Sequence, residues 1–279
     1  MAVNYATLYQ SKVAERFKLA SLTDAAAGNE YSFVGAKTIK VTSINTVPLT
    51  PFNRTAGSNR FGAIANLGDT VQEMQMTQDL SFGFSIDAGD ESDQAIQKSA
   101  GKALRREIDE EVIPTKDTYR LSKWAAGAGV VVNEIDAGPT DLTEDNILAA
   151  IMKVNGEMSN HKVPKNDRRL FMPVRNVIKL MQAKAILNLE STGTKVVGEG
   201  AIGKVAGCVL VEVPDSMFPE GVEFMIKHKG SSVDPVKLQN YHIRNDAQGF
   251  DGPVVEGRVY FDSFVLDAKK HGIGVYKPN

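Results

Sequence analysis

From Met74 to Ile86 the apolar residues Met74, Met76, Leu80, Phe82, Phe84 and Ile86 fall on even positions, and the odd ones carry Gln75, Thr77, Asp79, Ser81, Gly83 and Ser85. Alternation of this kind marks a strand with one face buried. Read as a single strand, it spans roughly 40 Å at ~3.3 Å per residue. Lys37 to Val47 is rich in β-branched residues and predicts a second strand. Between them lie Pro48, Pro51, Asn53, Arg54, Gly57, Asn59, Arg60, Gly62, Asn66 and Gly68. That connection runs to roughly 20 residues or more, against ~2–5 for a hairpin. A two-stranded ribbon alone is marginal in water. A ribbon this long wants another surface to lie on; the other reading is an ordinary sheet edge with a loose loop.

The period then changes to that of a helix. Over residues 90–126, Ile96, Ala100, Leu104, Ile108 and Val112 form one stripe. Arg105 with Asp109, and Arg106 with Glu110, are pairs four apart on other faces. Pro114 lacks an N–H and predicts a kink or restart. The glycine-broken run Ala125-Ala126-Gly127-Ala128-Gly129 ends the helix. At the other end of the chain's first segment, Tyr5, Tyr9, Val13 and Phe17 are spaced by four, a short amphipathic helix that packs either on its own domain or on a neighbour.

Beyond Gly138-Pro139, Thr143 is a candidate N-cap for a helix whose inner face is Ile147, Ile151 and Val154. Arg169-Leu170-Phe171-Met172 predicts a short buried strand, and Pro173 suits the first turn of a helix carrying Val174, Val177, Ile178, Met181 and Ala185. Residues 194–213 are β-rich and end in Val209-Leu210-Val211-Glu212-Val213-Pro214; further β regions are expected over 222–229 and 254–276. The class is α+β.

Composition narrows the function classes. The 279 residues carry 32 basic and 34 acidic side chains, a net charge of −2, which gives no support to a basic nucleic-acid binder. The single cysteine, Cys208, excludes an intrachain disulfide. No apolar run approaches the ~20 residues of a membrane span, and Met1-Ala2-Val3-Asn4-Tyr5 lacks the start of a signal peptide.

Candidate chemistry is sparse. Gly198-Glu199-Gly200-Ala201-Ile202-Gly203 matches G-x-G-x-x-G, yet the following Lys204 to Val211 is β-like and offers no helix N-terminus to a pyrophosphate. A glycine-rich hairpin loop around Gly198, Gly200 and Gly203 is the better reading. His161, His228, His242 and His271 stand outside any metal-ligand spacing, and Cys208 beside Val209 and Leu210 reads as a small buried hydrophobe. Glu107, Asp109, Glu110 and Glu111 beside Arg105 and Arg106 read as a solvated or interface charge face. No catalytic, cofactor or metal residues are proposed.

The order of these elements, an N-terminal arm, a loop-bearing ribbon, a long helix, a mixed insert and returning strands, resembles the tailed-bacteriophage major capsid fold of the Hong Kong phage type. Local sequences agree: Ala201 to Pro214 looks like that family's glycine-punctuated hairpin leading to a V-x-V-P strand end, and Tyr260 to Asp267 with Gly272-Ile273 looks like its C-terminal strand region. Asp69 to Glu73 and Glu111 to Pro114 resemble a subgroup of small capsid proteins. The resemblance implies an N-terminal arm over 1–35, an extended loop over 36–89 lying on a neighbouring subunit, and a spine helix with the first part of a peripheral domain over 90–139. An axial domain over 140–221 surrounds fivefold and sixfold axes, and 222–279 return to the peripheral domain. It also implies self-assembly into hexamers and pentamers of an icosahedral shell in the host cytoplasm. The shell encloses double-stranded DNA without reading its sequence, with scaffolding, portal and decoration proteins as further partners and no cofactor. Lacking a long extra N-terminal segment, the chain is expected to use a separate scaffold. The contact candidates are Phe17, Phe52, Arg54, Arg60, Phe61, Arg105, Arg106 and Glu110. An encapsulin-type nanocompartment shell shares the fold and is the leading alternative; a soluble enzyme or ligand-binding protein built on Gly198–Gly203 is the other.

Overall fold

A computed structural model of the chain describes residues 20–28, 30–31, 37–55, 57–64, 66–87, 100–135, 141–183, 203–245, 247–249 and 251–278. Its centre is a six-stranded sheet with order β4-β13-β8-β5-β7-β6. The strands are β4 (Val130–Val132), β5 (Arg168–Pro173), β6 (Lys204–Val205), β7 (Cys208–Val213), β8 (Phe224–His228) and β13 (Ile273–Tyr276). Strands buried on both faces read as continuous apolar runs, which is why Leu170-Phe171-Met172 lacks alternation. Leu170 and Met172 point to one core with Phe224, Ile226 and Tyr276, and Phe171 and Met225 point to the other.

Helices cover both faces. On the first lie α3 (Ile147–Asn160) and α4 (Val174–Gln182), through Ile147, Ile151, Val154, Val177 and Leu180. On the second lies α2 (Ile113–Ala126), through Leu121 and Trp124. The helix over Ala100–Ala126 is continuous but not uniform. A turn of π-helix, Ile108–Val112, separates α1 (Ala100–Glu107) from α2, and Pro114 stands in the first turn of α2. Within a continuous helix Pro114 removes a bond to the preceding turn and crowds its carbonyl, and the expected disturbance takes the form of a widened turn. The expected helix residues 90–99, Ile96 among them, lie outside the described residues.

Three smaller sheets flank this centre among the described residues, the shortest pairing β9 (Ser232–Val233) with β12 (Phe264–Val265). β1 (Thr38–Ile44) pairs antiparallel with β2 (Asp69–Gln75), and β3 (Gln78–Ser85) joins the edge of β10 (Val236–Arg244) and β11 (Val254–Phe261). The single strand expected over 74–86 is therefore two. The chain changes partners at Met76-Thr77, from β1 to β11. Asp262 fixes the joint: its Oδ2 accepts from Thr77 N (2.7 Å) and Oγ1 (3.0 Å), and its Oδ1 from Tyr119 (2.7 Å) and Ser263 N (2.8 Å). Burial, then the bond to Asp262, pushes the Tyr119 hydroxyl up to about 12.

Three local expectations are corrected. The N-cap of α3 is Asn146, not Thr143; Asn146 Oδ1 accepts from Thr143 N at 2.8 Å, and Thr143 contributes its carbonyl to Ile147 N. In α4, Ile178 is half exposed and Leu180 takes the buried place, because the helix faces the sheet through Asn176, Val177 and Leu180. Strand β10 falls between the β regions expected from the sequence and was absent from them.

Candidate assembly interface

The β1–β2 ribbon is anchored at one end only. Val41, Met74 and Met76 pack with Val233 and Leu266. Gln72 donates from Nε2 to the Val265 carbonyl (2.8 Å) and accepts from Asp267 N (3.0 Å). Beyond that base, no described residue from Thr42 to Glu73 is buried. Among the described residues, eight of the 15 large exposed apolar side chains stand here: Ile44, Val47, Leu49, Phe52, Phe61, Ile64, Leu67 and Val71. Single exposed apolar residues are ordinary; a run of them on one projection marks a surface that meets another.

The tip has its own order. Phe52 and Phe61 meet edge to face with centroids 5.1 Å apart, Asn53 N donates to the Arg60 carbonyl (3.0 Å), and Thr50 Oγ1 to the Phe61 carbonyl (2.9 Å). Asn59 and Gly62 take positive φ, 54° and 79°, turning the chain back on itself. Arg54 and Arg60 are exposed beside the ring pair. The structure thus brings together Phe52, Arg54, Arg60 and Phe61. Leu49 and Ile64, more exposed than either ring, were missed by sequence reasoning, which looked for aromatic and arginine anchors and passed over aliphatic residues.

The other candidates are elsewhere. Arg106 Nε lies 2.8 Å from Glu110 Oε1, and Arg105 Nε 3.9 Å from Asp109 Oδ2, so both expected pairs form across the π turn. Gly203 is exposed before the β6–β7 hairpin, with open space where a Cβ would stand. Phe17, Gly198 and Gly200 lie outside the described residues. Among the described residues no group of three His, Cys, Asp or Glu could hold a metal, and no helix is long and apolar enough to cross a membrane. Cys208 is buried, its thiol pushed up by burial and thus held protonated. His161 and His271 stack in parallel at 3.9 Å, a contact the sequence did not signal.

No family model and no curated protein sequence matches the chain. Solved structures do. A chain of Mycobacterium phage Che8 superposes with TM-score 0.79 at 14% identity, covering 98% of this chain and 96% of its own. The capsid structure of cyanophage P-SCSP1u gives 0.81 at 13%, covering 99% and 93%, and the mature capsid of bacteriophage PhiM1 gives 0.76 at 12%, covering 99% and 92%. The chain therefore has, over nearly its whole length, a fold found in bacteriophage capsids, as its element order suggested.

Proposed function

We propose that this chain is the major capsid protein of a tailed bacteriophage, a shell subunit and not an enzyme. The observation that carries the reading is the arm: a ribbon fixed at its base, with an ordered tip and eight exposed apolar side chains that no described part of the chain covers. The whole-chain likeness to capsid folds supports the same reading. In this reading residues 1–35 and 36–89 reach onto neighbouring copies, 140–221 surround the fivefold and sixfold axes, and the helix of 90–139 and the strands of 222–279 form the peripheral body. Many modest contacts cooperate in a closed shell, and Phe17, Phe52, Arg54, Arg60, Phe61, Arg105, Arg106 and Glu110 contribute to them. The shell encloses double-stranded DNA without reading its sequence, with scaffolding, portal and decoration proteins as partners; it assembles in the host cytoplasm and resides in the virion.

Negative-stain electron microscopy of the purified chain, alone and expressed with its neighbouring genes, tests this. Closed particles or capsomer rings are expected, and packaged genome in them separates a phage capsid from an enzyme-filled nanocompartment. Only small discrete particles in both preparations would refute the shell role. Replacing Arg54 and Arg60 together by Ala should impair assembly while the monomer stays folded; normal shells from that variant would remove the arginines from the interface.

A further inference from the structure

We infer that the arm's tip inserts into a specific cavity on a second copy of the chain, between the π turn and the three-stranded sheet; this rests on the shell reading above. The cavity, about 130 Å³, has an apolar floor that includes Leu80, Phe82, Val112 and Phe261, and it is bordered by Glu107 and Glu111. Four acids crowd residues 107–111. Two of them are matched within the chain, Asp109 by Arg105 and Glu110 by Arg106. The remaining two, Glu107 and Glu111, are four residues apart and line the same cavity. Like charges at that spacing repel, and carboxylates beside an apolar floor are poorly placed for the subunit's own stability. An apolar group carrying a cation answers both faults.

The tip has that chemistry. Between Asn45 and Gly68 the chain holds Arg54 and Arg60 and no acid. Phe61 is 79% exposed, next in sequence to Arg60, and braced edge-on by Phe52. A cavity near ~150 Å³ takes up one benzene, so the site admits one ring and not the pair. Phe61 therefore enters, Phe52 stays at the mouth, and the arginines face Glu107 and Glu111. Arginine and aromatic side chains are also the usual anchors of interfaces.

Charge exchange tests the pairing. The R54E/R60E and E107R/E111R chains should each lose assembled particles about tenfold or more, as like charges meet across the contact, and the four-fold exchange should recover most of the loss. In parallel, a chain carrying Phe61→Cys is co-assembled with one carrying Thr115→Cys, a residue that lines the cavity. Cys208, 1% exposed, stays out of the reaction. Under mild oxidation a covalent dimer that needs both chains is expected on a non-reducing gel, and this decides the matter if a charge variant misfolds. Shells that form normally from both charge-reversed chains, or co-assembled shells with no mixed dimer, would overturn the docking and leave the shell reading intact. A parent chain that forms no shell would instead overturn the shell reading, and the docking with it.

Discussion

Along β5 five of six residues are buried, whereas from Thr42 to Glu73 no described residue is. Both stretches are rich in large apolar side chains. In the sheet those side chains meet Trp124, Leu121 and Ile151 of the covering helices; in the arm they face outward. The contrast separates two uses of hydrophobicity. Burial of the first kind stabilises the subunit at ~25 cal/mol per Å² of apolar area. Apolar surface of the second kind contributes nothing until a partner covers it. A change in the sheet should therefore unfold the subunit, and a change in the arm should leave it folded but alone.

The largest effect belongs to Phe171→Ala. Phe171 is fully buried against Trp124, with ring centroids 5.7 Å apart. Emptying such a site costs about 3–5 kcal/mol. Urea unfolding should show a midpoint lowered to match. A loss under about 1 kcal/mol would mean that the second core is looser than its packing implies, and the contrast with the arm would blur.

Next comes Lys227, a lysine buried among the apolar residues of the same core. Its Nζ donates to the Ala26 carbonyl at 2.6 Å and sits 4.3 Å from the Trp124 ring centroid. Burial lowers it from 10.5 to about 8, against the pull of Asp234. Between these values the unfolded chain binds the proton more tightly than the folded one, so stability rises with pH. The full rise is on the order of 3 kcal/mol from this group. Tyr119 acts in the opposite sense: its raised value gives stability that is intact below pH 10 and lost as pH rises through about 12. Cys208, whose thiol burial pushes above its ordinary value near 9, also opposes the lysine in the upper part of the window from pH 8 to 10; the difference between the parent chain and a Lys227 variant therefore isolates the lysine. Lys227→Met should flatten the rise of the unfolding midpoint across that window; an unchanged slope would show that the charge is not desolvated in the folded state.

These two regions also differ in how legible they were. Most of the six-stranded sheet could be read because length and burial coincide: Arg168–Pro173 and Phe224–His228 are short, largely apolar runs with clear ends. Its edge strand β4, only three residues long, was not expected, since so short a run shows no period. The strand over 74–86 was misread for a physical reason. Period-two patterning reports which face a side chain takes, not which strand it pairs with. The two-residue joint at Met76-Thr77 preserves the even-odd order while the partner changes from β1 to β11. The residue that holds the joint, Asp262, is 185 positions from Thr77 in the chain. Strand β10 was missed because its alternation is diluted by Lys237, Gln239, Asn240 and His242, as suits a sheet edge. Of the proposed contact residues, the cluster of Phe52, Arg54, Arg60 and Phe61 was picked out by residue type within a long loop. The cavity at Glu107 and Glu111 was not, since it forms only where the π turn meets β3 and β11.

Asp117 sharpens the comparison from a third side, where a segment is held by polar bonds. Its carboxylate accepts from Ser21 Oγ (2.8 Å), Leu22 N (2.7 Å) and Thr23 Oγ1 (2.5 Å), fastening residues 21–23 to α2. Arg120 donates to Asp24 and to Thr23 Oγ1. Bonds to a buried charge are worth about 1.5–3 kcal/mol. Asp117→Ala should cost that much and should raise hydrogen exchange at residues 21–28 before the rest of the subunit. Uniform loss of protection would show that this segment and the sheet unfold as one unit.

The smallest effect on stability is the most telling about use. Phe61 touches Phe52 and is otherwise open, so Phe61→Ala removes one edge-to-face contact on an exposed loop. Surface changes of this kind fall within about 0.5 kcal/mol, and the urea midpoint of the monomer should hardly move. Assembly should respond quite differently. A ring that leaves water in every copy of a shell is lost in every copy at once, and small losses per contact multiply across a closed particle. Under the proposed shell role, sedimentation of the variant should therefore find folded chains in the slow fraction, with the parent chain in the fast one. If the variant instead lost stability as Phe171→Ala does, the arm would be part of the subunit's own core, and its eight outward apolar residues would need another explanation.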